Sequence, residues 1–244
     1  VWRTEFLYSD WYPEYVADYM RIELEGGKFT ERGWIDFGFQ NYYALLNCGF
    51  DIKPTAGTAS GVHPVPLGFG RVYVKIDGDF SYQKWIDGLT AGRSFVTTGP
   101  MLEVESKRQG DEIILTGTFE SDDPLGAIEI IVNGDVRQTI RAQPEQMDKG
   151  GQRVNFETTV PLRTSSWIAV RGFSNRPDKR PRFAHTAPVH FKVEGKPLRP
   201  KREEVVYLIK RVEDELKRHQ GVLTDSALSE YREAREFFQG LLSR

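Results

Sequence analysis

A chain of 244 residues has room for one large domain or two modest ones, and its 39% apolar and 28% charged residues are ordinary for a water-soluble fold. The formal net charge of −2 provides no global field for nucleic acid or anionic lipid, and no apolar run approaches the roughly 20 residues of a membrane span. Cys48 is the single cysteine, which excludes an intrachain disulfide and a cysteine-built zinc site.

The opening VWRTEFLYSDWYPEY has neither a basic segment leading into an apolar one nor an amphipathic transit pattern. It leaves the compartment open, exported or cytoplasmic. Because it starts at Val1, the expectation is that residues before it once belonged to the fold.

Residues 1–100 alternate helix and strand signals. Pro13 suits a first helical turn, with Tyr15, Val16, Tyr19 and Met20 on one face until Gly26 and Gly27. A second helix is expected over residues 33–47, with a stripe of Ile35, Phe39, Tyr42, Tyr43 and Leu46 and a left-handed cap at Gly49. Glycine- and proline-rich sequence follows, then an alternating strand at 71–76. A helix capped by Ser81 places Tyr82, Trp85, Ile86 and Leu89 on one stripe and ends at Gly92. A short strand follows at 94–97. Strand–helix–strand order of this kind favours a parallel sheet or barrel segment.

Residues 101–197 change to period two. Strands at 128–132 and 135–140 flank Asn133-Gly134, the strongest short hairpin signal. Val154, Phe156, Thr158 and Val160 alternate, and 167–173 and 189–193 read as further strands. Six to eight short strands in such a span suggest an immunoglobulin-like sandwich, with 143–152 as a mobile polar loop. In residues 198–244, one helix begins near Pro200, carries Val205, Leu208, Ile209, Val212 and Leu216, and ends at Gly221. A second, from Thr224 or Asp225, buries Leu228, Tyr231, Ala234, Phe238 and Leu241. The short loop between them predicts an antiparallel hairpin.

Two segments, NYYALLNCGFDIKPTAGTASGVHP and GRVYVKIDGDFSYQKWIDGLTAGRSFVTTGPML, resemble the end of the barrel in PHP-superfamily metallohydrolases of the carbaryl-hydrolase-like type. The likeness runs on into FAHTAPVHFKVEGKP and the helical tail, but its specific part is the middle 60 residues. The resemblance implies an α+β chain in three parts: a partial PHP barrel at 1–100, a β-sandwich at 101–197 and a helical hairpin at 198–244. It also implies metal-dependent hydrolysis of an ester, carbamate or phosphoester, with a metal-bound hydroxide as nucleophile. Such enzymes take early metal ligands from a His-x-His pair, and this chain contains none. Their final ligands come from Gly-Ser-Asp-x-His, where this chain has Gly57-Thr58-Ala59-Ser60-Gly61.

A methyl group at Ala59 and a hydrogen at Gly61 coordinate nothing, and a hydrolytic metal needs about three protein ligands. The chain is therefore expected to be inactive alone and to hold no cofactor, although the intact family carries divalent metal. A half barrel has open edges, so its expected partner is an upstream half-barrel segment or a second copy of the chain.

The residues singled out as a candidate pocket are Thr58, Ser60, His63, Arg71 and Arg93. His63 is read as a loop imidazole bonded to backbone, or alternatively as a remnant metal ligand. Thr58 and Ser60 are explained by turn chemistry, or by an anion held on hydroxyls and backbone N–H groups. Arg71 and Arg93 either clamp a carboxylate or phosphate or pair with Asp51, Asp77 or Asp87. His185 and His190, five apart, should face opposite sides of a strand. The basic run 176–182 is a solvated turn, so no nucleic-acid partner is expected. Cys48, at a helix C-terminus, is packing rather than a nucleophile. Two non-enzymatic alternatives stand beside the hydrolase reading. The sandwich could bind a glycan or protein, shown by aromatic side chains exposed together on one face, or the hairpin could drive oligomerisation.

Overall fold

A computed structural model describes residues 2–3, 31–58, 67–141, 143–176 and 181–243. The expected helix after Pro13 lies outside them. The chain is mixed α+β, with antiparallel sheets and a C-terminal helical pair. It divides into two compact units: Val1–Gln40 with Ile52–Pro197, and Asn41–Asp51 with Leu198–Arg244.

The first unit opens with β1 (Trp2–Arg3), which pairs parallel with β2 (Pro54–Thr55). Helix α1 (Glu31–Asn47) belongs to both units and buries the expected stripe of Ile35, Phe39, Tyr42, Tyr43 and Leu46. Next come β3 (Arg71–Val74), α2 (Tyr82–Thr90) and β4 (Ser94–Thr97). Nine strands follow: β5 (Met101–Gln109), β6 (Glu112–Ser121), β7 (Leu125–Val132), β8 (Asp135–Ile140), β9 (Glu145–Gln146), β10 (Gln152–Pro161), β11 (Ser166–Asn175), β12 (Pro181–Thr186) and β13 (Val189–Phe191).

These strands form two sheets. The smaller runs β5-β6-β10-β9, and the larger β3-β4-β12-β11-β7-β8, with β13 continuing beside β11 where β12 stops. Period-two alternation turns one face of each sheet inward. Phe95, Ile128, Ile130, Ile168, Val170 and Ala184 of the larger sheet meet Leu102, Ile113, Leu115, Phe119, Val154 and Phe156 of the smaller in one apolar core. Strand β11 is buried along nearly its whole length, as its almost unbroken apolar run requires. Its other face carries Arg171 and Phe173, and here α1 packs. Phe39 meets Phe183 edge-on at 5.4 Å and stacks on His185 at 4.5 Å.

Three expectations are corrected. Strands β3 and β4 pair antiparallel, Arg71 opposite Thr97 and Val74 opposite Ser94, not parallel. The reason is local: the Lys75 N–H donates to the Arg93 carbonyl at 2.8 Å, so the chain leaves β3 and enters β4 at the same end, with α2 as the body of a long hairpin loop. Residues on both sides of Pro100 thus share one sheet. The segment 143–152 is not wholly loop, because Glu145 and Gln146 pair with Arg153 and Gln152. The α2 stripe is not core either: Tyr82 is 72% exposed, and Gly88 is the helix's buried residue. The predicted Ser81 cap does form, accepting from the Lys84 N–H at 3.2 Å.

The second unit consists of the end of α1 with α3 (Arg202–His219) and α4 (Asp225–Leu242). His219 lies by Tyr231 at one end, while Val205 packs with Phe238 at the other, an antiparallel arrangement. Gly221 takes φ +77° in the turn and Thr224 caps α4, accepting from the Ala227 N–H. Asn47 donates to both carboxylate oxygens of Glu204 at 3.0 Å, and Glu204 also accepts from the Lys201 N–H at the start of α3.

Candidate functional site

Among the residues singled out from sequence, Ser60 and His63 lie outside the described residues, as do Ala59 and Gly61. Thr58 is committed locally. Its Oγ1 accepts from the Gly70 N–H at 2.9 Å and donates to the Gly70 carbonyl at 3.4 Å, which places it beside Arg71. Arg71 is half-buried, its guanidinium 5.9 Å from the Tyr73 ring centre and its Nε enclosed without a hydrogen-bond partner. Arg93 stands elsewhere. Antiparallel pairing puts the start of β3 and the start of β4 at opposite ends of the hairpin, about 13 Å apart for four residues of strand. The structure therefore brings Thr58 and Arg71 together but not Arg71 and Arg93. No ion pair with Asp51, Asp77 or Asp87 forms at either arginine among the described residues.

At the Arg93 end the two sheets part and leave a cavity of about 1050 Å³. One wall is built by Tyr73, Phe95, Ile168 and Val170 of the larger sheet, the other by Val104, Leu115 and Phe156 of the smaller. Tyr73 and Phe95, cross-strand partners, stack nearly parallel at 5.1 Å. Gly117 keeps the smaller sheet's wall flat, since a Cβ there would come within 2.6 Å of the Phe156 ring. At the mouth, Lys75 and Glu105 meet at 2.7 Å and bridge the edge strands of the two sheets. Their hydrogen bond raises the Lys75 pKa and lowers that of Glu105, so both stay charged beyond their ordinary ranges. Both are largely exposed, so the bridge is screened by salt and adds little stability.

A second polar cluster lies on the other face of the larger sheet. Arg171 bonds Glu129 at 2.7 Å and pairs with Asp36 at 2.9 Å, its guanidinium 5.5 Å from Phe39 and 5.4 Å from Phe173. His185, fully buried, donates from Nδ1 to the Thr186 carbonyl at 2.6 Å, and burial pushes its pKa down to about 3. This imidazole is neutral and packed, the work of a core residue. His190 is exposed on β13 opposite Trp167, whereas His185 on β12 lies opposite Arg171. Trp167 and Arg171 are four apart on β11, so the register sets both histidines on the same face of the sheet, not on opposite sides as a single continuous strand would. Cys48 packs with Val205 and Phe238, and burial raises its thiol to about 11.

No group of three or more His, Cys, Asp or Glu converges on a point among the described residues. The large apolar side chains exposed on sheet strands there are Val136 and Val189, neither of them aromatic. Reading the sequence alone missed Lys75, Glu105 and the cavity walls. The sequence marked strands at 71–76 and 94–97, but nothing local showed that β3 and β4 extend the larger sheet.

Against known proteins, no family model, no curated relative and no solved structure matches this chain.

Proposed function

We propose that this chain is the C-terminal portion of a PHP-like hydrolase for esters, carbamates or phosphoesters, and that its own residues bind a ligand rather than react with it. The resemblance of the Gly57–Gly61 region and of GRVYV and AGRSFVTTGP to that family supports the ancestry. The two-sheet core supports reading residues 101–197 as an immunoglobulin-like sandwich, and the parallel β1–β2 pair suits a barrel remnant.

The observation that carries the binding role is the cavity. It is large enough for a small organic molecule, is walled by apolar and aromatic side chains, and is lined by no histidine or cysteine. The family's metal ions do not fit the donors at hand, because Ala59 and Gly61 supply none and no other donor cluster forms among the described residues. No hydrolytic step is therefore assigned to these residues.

The test pairs metal content with ligand binding. After incubation with Zn²⁺ or Mn²⁺ and desalting, elemental analysis should find well under one metal per chain. p-Nitrophenyl acetate should be hydrolysed no faster than in the metal blank. The neutral dye N-phenyl-1-naphthylamine should bind saturably, and Val104→Trp, which fills the cavity, should abolish its fluorescence. One tightly held metal per chain with metal-dependent turnover would overturn the proposal.

A further inference from the structure

The cavity's rim specifies a ligand class more narrowly than its walls do. Its cations are Lys75 and Arg93 and its anions Glu103, Glu105 and Glu157. Lys75 and Glu105 satisfy each other. Glu103 and Glu105 flank the inward-pointing Val104 and Glu157 follows the inward-pointing Phe156, so all three carboxylates stand on the outward side of the smaller sheet's rim. Arg93 remains. It is exposed, and no carboxylate among the described residues lies within ion-pair distance of it.

Its backbone is nevertheless held in place. Its N–H donates to the Gly88 carbonyl at 2.9 Å and its carbonyl accepts from Lys75 at 2.8 Å. The guanidinium lies back against α2, Nη2 being 3.7 Å from where a Cβ on Gly88 would stand. A Cβ there would also meet Val74 at 2.5 Å, so the bare glycine is what lets helix, strand and arginine close up at the rim.

Resting on the binding role above, we propose that the cavity takes an amphipathic anion: an apolar chain or ring system inserted between the sheets, with a single carboxylate held by Arg93. Apolar walls exclude a highly polar ligand, because burying unbonded hydroxyls there is costly. A guanidinium suits a carboxylate through two parallel N–H···O bonds, which an alcohol or an ammonium head cannot reproduce.

Displacement of N-phenyl-1-naphthylamine by dodecanoate, dodecanol and dodecyltrimethylammonium, each below its micelle concentration, tests this. Dodecanoate should compete at least tenfold better than either of the others. Arg93→Glu should erase that preference, read as the dodecanoate-to-dodecanol competition ratio within the variant itself, and Arg93→Lys should restore part of it. Dye binding blocked by Val104→Trp, with the three amphiphiles competing equally, overturns the anion assignment and leaves the cavity's binding role standing. No dye binding by the parent chain removes both.

Discussion

At the scale of single residues, the buried charge among the described residues gathers in one cluster. Arg171 is held by Glu129 and Asp36 between two aromatic rings. Such a group is costly to desolvate, but far costlier to break from one side. Arg171→Leu should lower stability by about 3–5 kcal/mol in urea unfolding, because it leaves the Glu129 carboxylate buried without its cation. His185 makes a different prediction. Its folded-state pKa is about 3, against an ordinary 6.5. The unfolded chain therefore binds its proton first. The stability gained by keeping the ring neutral is fully present above pH 6.5 and is lost as pH falls toward 3. His185→Phe keeps a ring against Phe39 and removes that titration. The parent's urea midpoint should fall relative to the variant's between pH 6.5 and 3, carboxylate titrations cancelling in the comparison.

At the scale of elements, turns do the specifying. The β7–β8 hairpin turns on Asn133 at φ +52° and Gly134 at φ +88°, both in the left-handed region that matches the twist of paired strands. Gly134→Ala should cost about 1–2 kcal/mol by urea titration, since a Cβ is penalised there. This hairpin was legible in sequence because the Asn-Gly pair acts locally. The same holds for the Ser81 cap, the α1 stripe and the two tail helices, all set by neighbours within one or two turns. The β3–β4 pair was not legible. A strand–helix–strand order is compatible with a parallel crossover or with a hairpin carrying a helix in its loop, and the choice rests on where Lys75 and Arg93 meet. The two residues of β9 were missed for a similar reason: their pairing comes from β10, across a turn.

At the scale of the whole molecule, α1 is the element common to both compact units. Ile35 and Phe39 belong to the first, Leu46 and Cys48 to the second. Gln40 is exposed in the middle of this helix, so Gln40→Pro removes a hydrogen bond and disturbs the turn before it without touching any core side chain. Amide exchange should speed up at both Phe39 and Leu46, with a loss of about 3 kcal/mol or more. Faster exchange confined to one unit would show that the halves of α1 hold independently.

Composition and spacing settled what depends on near neighbours: helices with apolar stripes, period-two strands, capped ends, a tight turn at Asn133-Gly134, and the lack of donors at Ala59 and Gly61. Tertiary structure alone decided what depends on distant partners. Antiparallel closure of β3 on β4 separated Arg71 from Arg93, and the larger sheet's extension by those strands opened a recess beside β5. There Lys75, thirty residues from Glu105 in the chain, could meet it across the mouth. The physical reason is range: turn and helix preferences act over a few bonds, whereas sheet pairing and cavity shape arise only when separate stretches of chain bury their apolar faces together.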